Sequence, residues 1–355
     1  MIKSLLQRLY INRTSLSYFL SYPLVRPITA TLTITKRCNS RCSYCFDWDN
    51  PNPPTDPPGE KLEEVLSSVK RLGASLAVFT GGEPLLRPDL PDLIRSAKSR
   101  GLQTLLVTNG VLLTKEKAGE LAEKGLDNFL LSLDTLNPEH YRQHRGVDFK
   151  FAERAIESLE WVKRQYPNRS AGINCVITRT NLDDVIPLVE KMAERGLYVC
   201  FDPYHEIVDH NVRGGPLTFG KEEIEKLKRL IDWLIDYRQK RGTVASHPDY
   251  LKFIPDYFAG KRHTVRCMTA LLNINVSVRL EVKPCWLLPP VGNLYEKSLE
   301  EIWYSREMRQ ARRRIKGRHC PHCWLSCHIT DSLNARWAFP AEKQYARILW
   351  NKSRG

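Results

Sequence analysis

From residue 28 onward the chain alternates two kinds of segment, and that alternation restricts it to a small set of folds. Short β-rich runs occur at ITATLTIT (28–35), SLAVFT (75–80), LQTLLVT (102–108), LDNFLLSLD (126–134), AGINCVIT (171–178) and LYVCFDP (197–203). Helix-like stretches over 60–72, 88–100, 114–124, 151–165 and 182–195 separate them. Strands spaced by amphipathic helices pair in parallel, with the helices as crossovers. Six units do not close an eight-stranded barrel, so the expected fold is α/β, a partial (β/α)6 barrel. Active sites in such folds gather at the C-terminal strand ends. That rule brings loop 36–50, the GGEP after the second run and the TNG after the third onto one face.

The pattern changes after VRGGP (212–216). The expected organisation is an N-terminal extension (1–27), the partial barrel (28–210), a helical connector (211–262), a cysteine-punctuated module (263–330) and a basic, aromatic tail (331–355). One helix is predicted over 220–241, a short mixed connector over 247–262 and another helix over 298–316. No internal repeat is evident. The N-terminal segment reads as a basic amphipathic helix with Leu5, Leu6, Leu9 and Tyr10 on one side, predicted to dock onto the protein itself. Peripheral membrane contact is the alternative for that face. Arg8 and Arg13 interrupt any signal-peptide core. No apolar run reaches the ~20 residues of a membrane span. The net charge of +14 suits anionic partners, and it also suits a surface solvated by lysine and arginine.

Ten cysteines without an export signal argue against a disulfide framework and for a cytoplasmic protein. Cys175 and Cys200 stand in apolar runs and read as small buried hydrophobes. Cys38, Cys42 and Cys45 crowd into CNSRCSYC beside Lys36, Arg37 and Arg41, cations that can offset the charge of thiolates and cluster. A cubane iron–sulfur cluster takes four ligands. Three local thiolates would leave one iron open, as catalytic metal sites leave a position free. Zinc is the rival, but its short motifs pair CxxC with a second pair further on, and none lies near 38–45.

CNSRCSYC resembles the cluster-binding motif of the radical S-adenosylmethionine (SAM) superfamily, with Tyr44 as its aromatic. FTGGEPLLRPDL resembles the same family's segment after the second strand, with Gly81, Gly82 and Glu83 in place. LVTNG (Thr108, Asn109, Gly110), LLSLDTLNPEHYRQHRG (Ser132, Asp134) and INCVITRTN (Asn174, Asn181) continue the likeness over residues 28 to 205. The resemblance implies a TIM-type partial barrel and a cluster held by Cys38, Cys42 and Cys45, with SAM on the open iron. Reductive cleavage of SAM then gives a 5′-deoxyadenosyl radical that takes a hydrogen atom from substrate. It implies SAM contacts from Tyr44, Gly81, Gly82, Glu83, Thr108, Asn109, Ser132 and Asn174. The glycines would let backbone approach the methionine end, and Glu83 would accept from its ammonium.

Residues 263–330 resemble the family's C-terminal auxiliary-cluster modules, called SPASM with two clusters and twitch with one. Cys267, Cys285, GNLYEKSLEEIW and CPHCWLSC carry that likeness. Five cysteines are too few for two clusters, so one auxiliary [4Fe-4S] cluster is expected, on Cys267, Cys285, Cys320 and Cys323. Cys327 is the fifth, either a replacement ligand or a free thiol. The CxxC with His319, His322 and His328 also permits zinc, although these histidines read as surface or capping residues. The seven basic residues of 306–318 read as a solvated helix.

The expected function is therefore a radical SAM enzyme with one auxiliary cluster, performing an oxidation or C–X bond formation on a small molecule, peptide or lipid. Reducing equivalents would come from a flavodoxin or ferredoxin. Two features bear on the substrate: no leader-peptide-binding domain is read before residue 28, which weakens a self-contained peptide modifier, and the end SRG lacks the Gly-Gly of the molybdenum-cofactor cyclase, which puts GTP in doubt. FDPYHEIVDH places Asp202, Tyr204, His205, Glu206 and His210 after the sixth run, and His205 or Glu206 is the candidate proton acceptor. The alternative is a nucleic-acid-binding or RNA-modifying protein with structural metal sites, its +14 charge the footprint.

Overall fold

The computed structural model describes residues 2–45, 55–205, 207–208, 211–212 and 219–337. Helix α1 (Ile2–Leu20) precedes six long strands, β1 (Thr29–Thr35), β2 (Leu76–Gly81), β3 (Gln103–Thr108), β4 (Asn128–Ser132), β5 (Ser170–Ile177) and β6 (Tyr198–Pro203). Between them run α2 (Gly59–Arg71), α3 (Leu90–Ser99), α4 (Lys115–Glu123), α5 (Pro138–Arg145), α6 (Lys150–Gln165) and α7 (Val185–Glu194). All six strands are parallel and neighbours in the sheet are neighbours in the chain. Because the order never reverses, right-handed crossovers leave every helix on one face. The other face lines an open lumen, and the fold is the partial barrel that the alternation predicts.

The strands read in two directions. In β1, TATLTIT, the residues Ala30, Leu32 and Ile34 are fully buried and pack with Leu62 and Leu66 of α2 in the main core. The intervening threonines point the opposite way, as strand geometry requires. On β4, β5 and β6 every second residue towards the strand end, including Ser132, Asn174 and Asp202, is half-buried and faces the lumen. Cys200 shares that pattern and is half-buried, not a core hydrophobe as its apolar flanks suggest. Cys175, one strand over, is fully buried as expected.

Beyond β6, a two-residue strand pair, β7 (Ile207–Val208) and β8 (Asn211–Val212), leads to α8 (Lys221–Arg241) and α9 (Pro248–Phe258). The predicted mixed connector is thus mostly helix, opened by His247, whose Nδ1 accepts from Asp249 N–H, and by Pro248 in the first turn. After α10 (Thr269–Leu272) come β9 (Asn273–Val276), β10 (Glu281–Lys283) and β11 (Gly292–Asn293). β9 pairs in parallel with β1, from Thr29 opposite Asn273 to Leu32 opposite Val276. The C-terminal hairpin therefore extends the barrel sheet to nine strands, in the order β11-β10-β9-β1-β2-β3-β4-β5-β6.

The predicted helix over 298–316 is two helices, α11 (Leu299–Tyr304) and α12 (Arg306–Lys316). Ser305 breaks them: it is extended (φ −63°, ψ 163°) and its hydroxyl caps Met308 N–H at 3.0 Å. α12 is not merely solvated, because its Arg312 is buried over the Trp303 ring and bonds the Ala270 and Trp303 carbonyls. The last helix, α13 (Ser326–Trp337), runs on past residue 330. Its buried Asp331 accepts from Asn273 Nδ2 at 2.6 Å and Thr29 Oγ1 at 3.3 Å, which locks α13 to β9 and β1.

Candidate active site

The loop after β1 carries Cys38, Cys42 and Cys45, and the adjoining strand end fixes its backbone. Gly82 N–H donates to the Thr35 carbonyl and Glu83 N–H to the Arg37 carbonyl, each at 2.8 Å. A Cβ on Gly81 would lie 2.2 Å from the Thr35 oxygen, and one on Gly82 2.2 Å from the Arg37 oxygen. Gly81 also has φ +149°. Both glycines are needed because β2 presses on the chain that leads into the cysteines.

Glu83 is fully buried. Its carboxylate accepts from Leu85 N–H (3.0 Å), Thr108 Oγ1 (2.7 Å) and Asn109 N–H (2.6 Å). Burial pushes its pKa up to about 7, against the pull of those donors. The carboxylate thereby ties the end of β2 to the end of β3. Asn109 passes the constraint on, its Nδ2 reaching Asn39 Oδ1 at 2.8 Å and Cys38 Sγ at 3.7 Å. Thr108 spends its hydroxyl proton on Glu83 and accepts from Gly110 N–H.

The other side of the loop leans on α5, a helix the sequence reading did not place. Asn137 caps it with bonds from Glu139 and His140 N–H, Pro138 opens it, and Gly146 ends it at φ 67°. Its last carbonyls hold the cysteine loop: Arg41 N–H donates to Arg145 O (3.1 Å) and Ser43 N–H to His144 O (2.9 Å). The buried Arg145 guanidinium pairs with Asp134 at 2.9 Å, lies 5.3 Å from the Tyr44 ring centre and reaches to 3.8 Å from Cys42 Sγ. Tyr44 in turn donates to Asp134 Oδ2 at 2.6 Å. Arg145 was missed from sequence; its signal is RG at the end of the stretch that holds Ser132 and Asp134.

A second thiol group surrounds a cavity in the C-terminal part. Cys267, Cys285, Cys320 and Cys323 line it, together with Tyr18, His263 and Arg318 among others. Cys327, in the first turn of α13, is not among the lining residues and is exposed as a residue, although burial of its thiol and the nearby Cys323 and Cys285 raise its pKa. Burial pushes Cys267 up to about 12 and Cys323 up to about 11, with neighbouring thiols adding to the effect on Cys267. Such thiols ionise readily only with a cation in the cavity. They ring a space: among the described residues no three His, Cys, Asp or Glu side chains close on a single-ion site. His328 is buried, not at the surface as read from sequence, with Nδ1 4.0 Å from Cys285 Sγ.

The family described as "Radical SAM superfamily" matches residues 32–197, and the one described as "Iron-sulfur cluster-binding domain" (SPASM) matches residues 267–327. The chain belongs to the radical SAM superfamily and carries a SPASM domain. It is 27% identical over 296 residues to an AdoMet-dependent heme synthase of Oleidesulfovibrio alaskensis, covering 76% of this chain and 74% of that protein. It is 27% identical over 287 residues to a PqqA peptide cyclase of Streptomyces rochei, covering 76% and 75%. Among solved structures, Streptococcus suis SuiB bound to S-adenosylmethionine aligns at TM-score 0.67 and 19% identity, over 84% of this chain and 70% of that one. The anSMEcpe structure with bound AdoMet aligns at 0.65 and 18%, over 93% and 100%.

A radical SAM enzyme carries a [4Fe-4S] cluster and SAM, and a SPASM domain implies auxiliary iron–sulfur chemistry. The residues present fit both groups. Beside the first cysteine loop, buried Arg145 has an Nε with no acceptor, and its Nη2 meets Asp134 without the alignment of a hydrogen bond. Donors left over next to Cys42 are what a cluster's sulfur atoms would satisfy. At the second group, four thiols lining one cavity are a donor set suited to an iron–sulfur cluster.

The residues at the barrel mouth divide. Ser132, the last residue of β4, and Asn174, within β5, are cross-strand partners and both half-buried. Asp202 is committed to the seam between barrel and SPASM domain. Its Oδ1 accepts from Ser326 N–H (2.9 Å) and Tyr250 OH (3.1 Å), and its Oδ2 from Ser326 Oγ (2.9 Å). His205 belongs to the same seam, and this corrects its reading as a base. Its Nε2 accepts from Trp324 N–H at 3.1 Å, its other nitrogen bonds the Pro203 backbone, and burial lowers its pKa to about 4. Neither nitrogen is left to take a substrate proton. Glu206 and His210 lie outside the described residues.

Proposed function

We propose that this radical SAM enzyme oxidises a peptide bound in the barrel lumen, using one auxiliary [4Fe-4S] cluster as the acceptor of the second electron. The observation that carries the reading is the cavity lined by Cys267, Cys285, Cys320 and Cys323, fastened to the end of β6 through Asp202 and His205. Asp202, which binds the start of α13, shares the half-buried, lumen-facing pattern of Ser132, Asn174 and Cys200, where a substrate would lie. When bound to Cys38, Cys42 and Cys45, the first cluster supplies the electron that cleaves SAM to a hydrogen-abstracting radical.

The protein's own part is positional. Glu83, Asn109 and Arg145 hold the first cysteine loop rigid, so that the abstracting centre and the substrate carbon keep one geometry. The GGE glycines allow the close packing this requires. In balance, the substrate C–H would give up a hydrogen atom, then one electron and one proton to a base, and Cys267, Cys285, Cys320 and Cys323 would hold the group that takes the electron. A peptide is favoured because PqqA peptide cyclase is named among the relatives, and SuiB has been solved with its precursor peptide SuiA. The nucleic-acid alternative rests on the +14 charge, to which the basic helix α12 adds less than its sequence suggests, since Arg312 turns inward onto Trp303.

The test is anaerobic turnover with SAM, dithionite and the short peptides encoded beside the gene. A product about 2 Da lighter than its peptide, formed with one 5′-deoxyadenosine per turnover, supports the reading. Uncoupled 5′-deoxyadenosine with every such peptide unchanged would count against it.

A further inference from the structure

Over the described side chains of its last turns, helix α1 turns hydroxyls inward and leaves large apolar groups outside. Its inward side carries Thr14, Ser17 and, just after the helix, Ser21, each at most 1% exposed. Two of these hydroxyls are satisfied by the helix's own backbone, Thr14 Oγ1 donating to Tyr10 O (2.8 Å) and Ser17 Oγ to Arg13 O (2.7 Å). Tyr10 and Tyr18 pack with Val25, Met268, Leu271, Leu272 and Ala335 and fix the helix on the SPASM domain. The outward side carries Leu16, Phe19 and Leu20, at helical spacing and 47%, 58% and 46% exposed. Tyr22 and Tyr304, 38% and 50% exposed, continue the patch with ring centres 5.9 Å apart. Of the predicted docking face, Tyr10 packs inward; the side chains of Leu5, Leu6 and Leu9 lie outside the described residues.

The rim of the patch is cationic. The Arg266 guanidinium sits 5.4 Å from the Phe19 ring centre and that of Arg309 6.0 Å from Tyr22, while Lys316 Nζ donates to the Phe19 carbonyl. Among the described residues neither Arg266 nor Arg309 has a carboxylate within ion-pair distance. Clustered exposed apolar side chains mark an interaction surface. These stand proud of a helix, so they suit a medium that deforms around them, and the cationic rim selects negative charge. Aromatic and aliphatic side chains edged by arginine are the composition of an interfacial helix.

We propose that the outer face of α1, with Tyr22 and Tyr304, docks this enzyme onto an anionic phospholipid surface. This is independent of the substrate reading above. The test uses the reconstituted full chain in vesicle flotation, comparing pure phosphatidylcholine with vesicles holding about 30 mol% phosphatidylglycerol. Binding to the anionic vesicles is expected to be at least roughly tenfold tighter and to weaken in about 0.5 M salt. Phe19→Ser with Leu20→Ser should lose roughly tenfold or more, with the circular dichroism spectrum and SAM cleavage unchanged. Arg309→Gln should lose about fivefold. Equal or absent binding to the two vesicle types overturns the proposal, as does a double serine variant that floats like wild type. A wild-type dimer that the serine variant dissolves, without vesicle binding, assigns the face to a second copy instead. Flavodoxin capture lost in that variant, again without vesicle binding, assigns it to an acidic protein.

Discussion

Arg145 is the residue on which most of the first site's geometry converges, and its energetics can be separated from its chemistry. Its side chain is 6% exposed and that of its partner Asp134 is 0% exposed, so each buried charge relies on the other. Truncating one member of such a pair leaves an uncompensated buried charge, at a cost of about 3–5 kcal/mol. Arg145→Met is therefore expected to lower stability by that amount in urea unfolding of the cluster-free protein. Arg145→Met combined with Asp134→Asn should recover most of it, because no lone charge remains. Additive losses in the double variant would mean that the two residues do not act as a pair. From sequence, the residue types at this site were legible but not their division of labour. Glu83 and the two glycines were read as SAM contacts from a motif. The fold adds what a motif cannot express: the three donors around Glu83 and the carbonyls against Gly81 and Gly82 come from three separate strand ends. His205 misled for the same reason, since its partner Trp324 is 119 positions away.

At the scale of elements, strong local signals were readable and tertiary ones were not. The alternation over 28–203 named every barrel strand because buried parallel strands are continuous apolar runs bounded by turns. α5 escaped because it is short and polar, PEHYRQHR, and its caps rather than its periodicity mark it. The break at Ser305 escaped because a serine between two helix-forming stretches counts as a cap only when its backbone is extended. No local feature announces that β9 pairs with β1; that contact is set by α13, through Asp331. Burial raises the Asp331 pKa to about 6, outweighing the bonds from Asn273 and Thr29. A carboxyl whose folded pKa lies above its unfolded value near 3.9 favours the fold when protonated. Its contribution is full below about pH 4 and is lost as pH rises through about 6. Asp331→Asn should flatten this part of the stability profile. The difference in unfolding free energy between wild type and variant should shift by roughly 2 kcal/mol from pH 4 to 7, against wild type. A difference independent of pH would show that Asp331 is ionised throughout.

The whole molecule places two thiol groups on one continuous sheet, the first after β1 and the second around the strands that β1 recruits at its other edge. The SPASM domain is thereby built onto the barrel, with Asp202 and His205 closing one side and Asp331 the other. These two groups are proposed to hold one cubane cluster each. The most direct measurement is iron and sulfide content with Mössbauer spectroscopy on anaerobically reconstituted variants. Wild type should hold about eight irons per chain, and the triple variant Cys38→Ala, Cys42→Ala, Cys45→Ala about four, with no SAM cleavage. Cys267→Ala with Cys285→Ala should also hold about four while still cleaving SAM, and Cys327→Ala should stay near eight. About twelve irons in wild type, a triple variant that keeps its full content, or loss of the auxiliary cluster in Cys327→Ala would contradict the account.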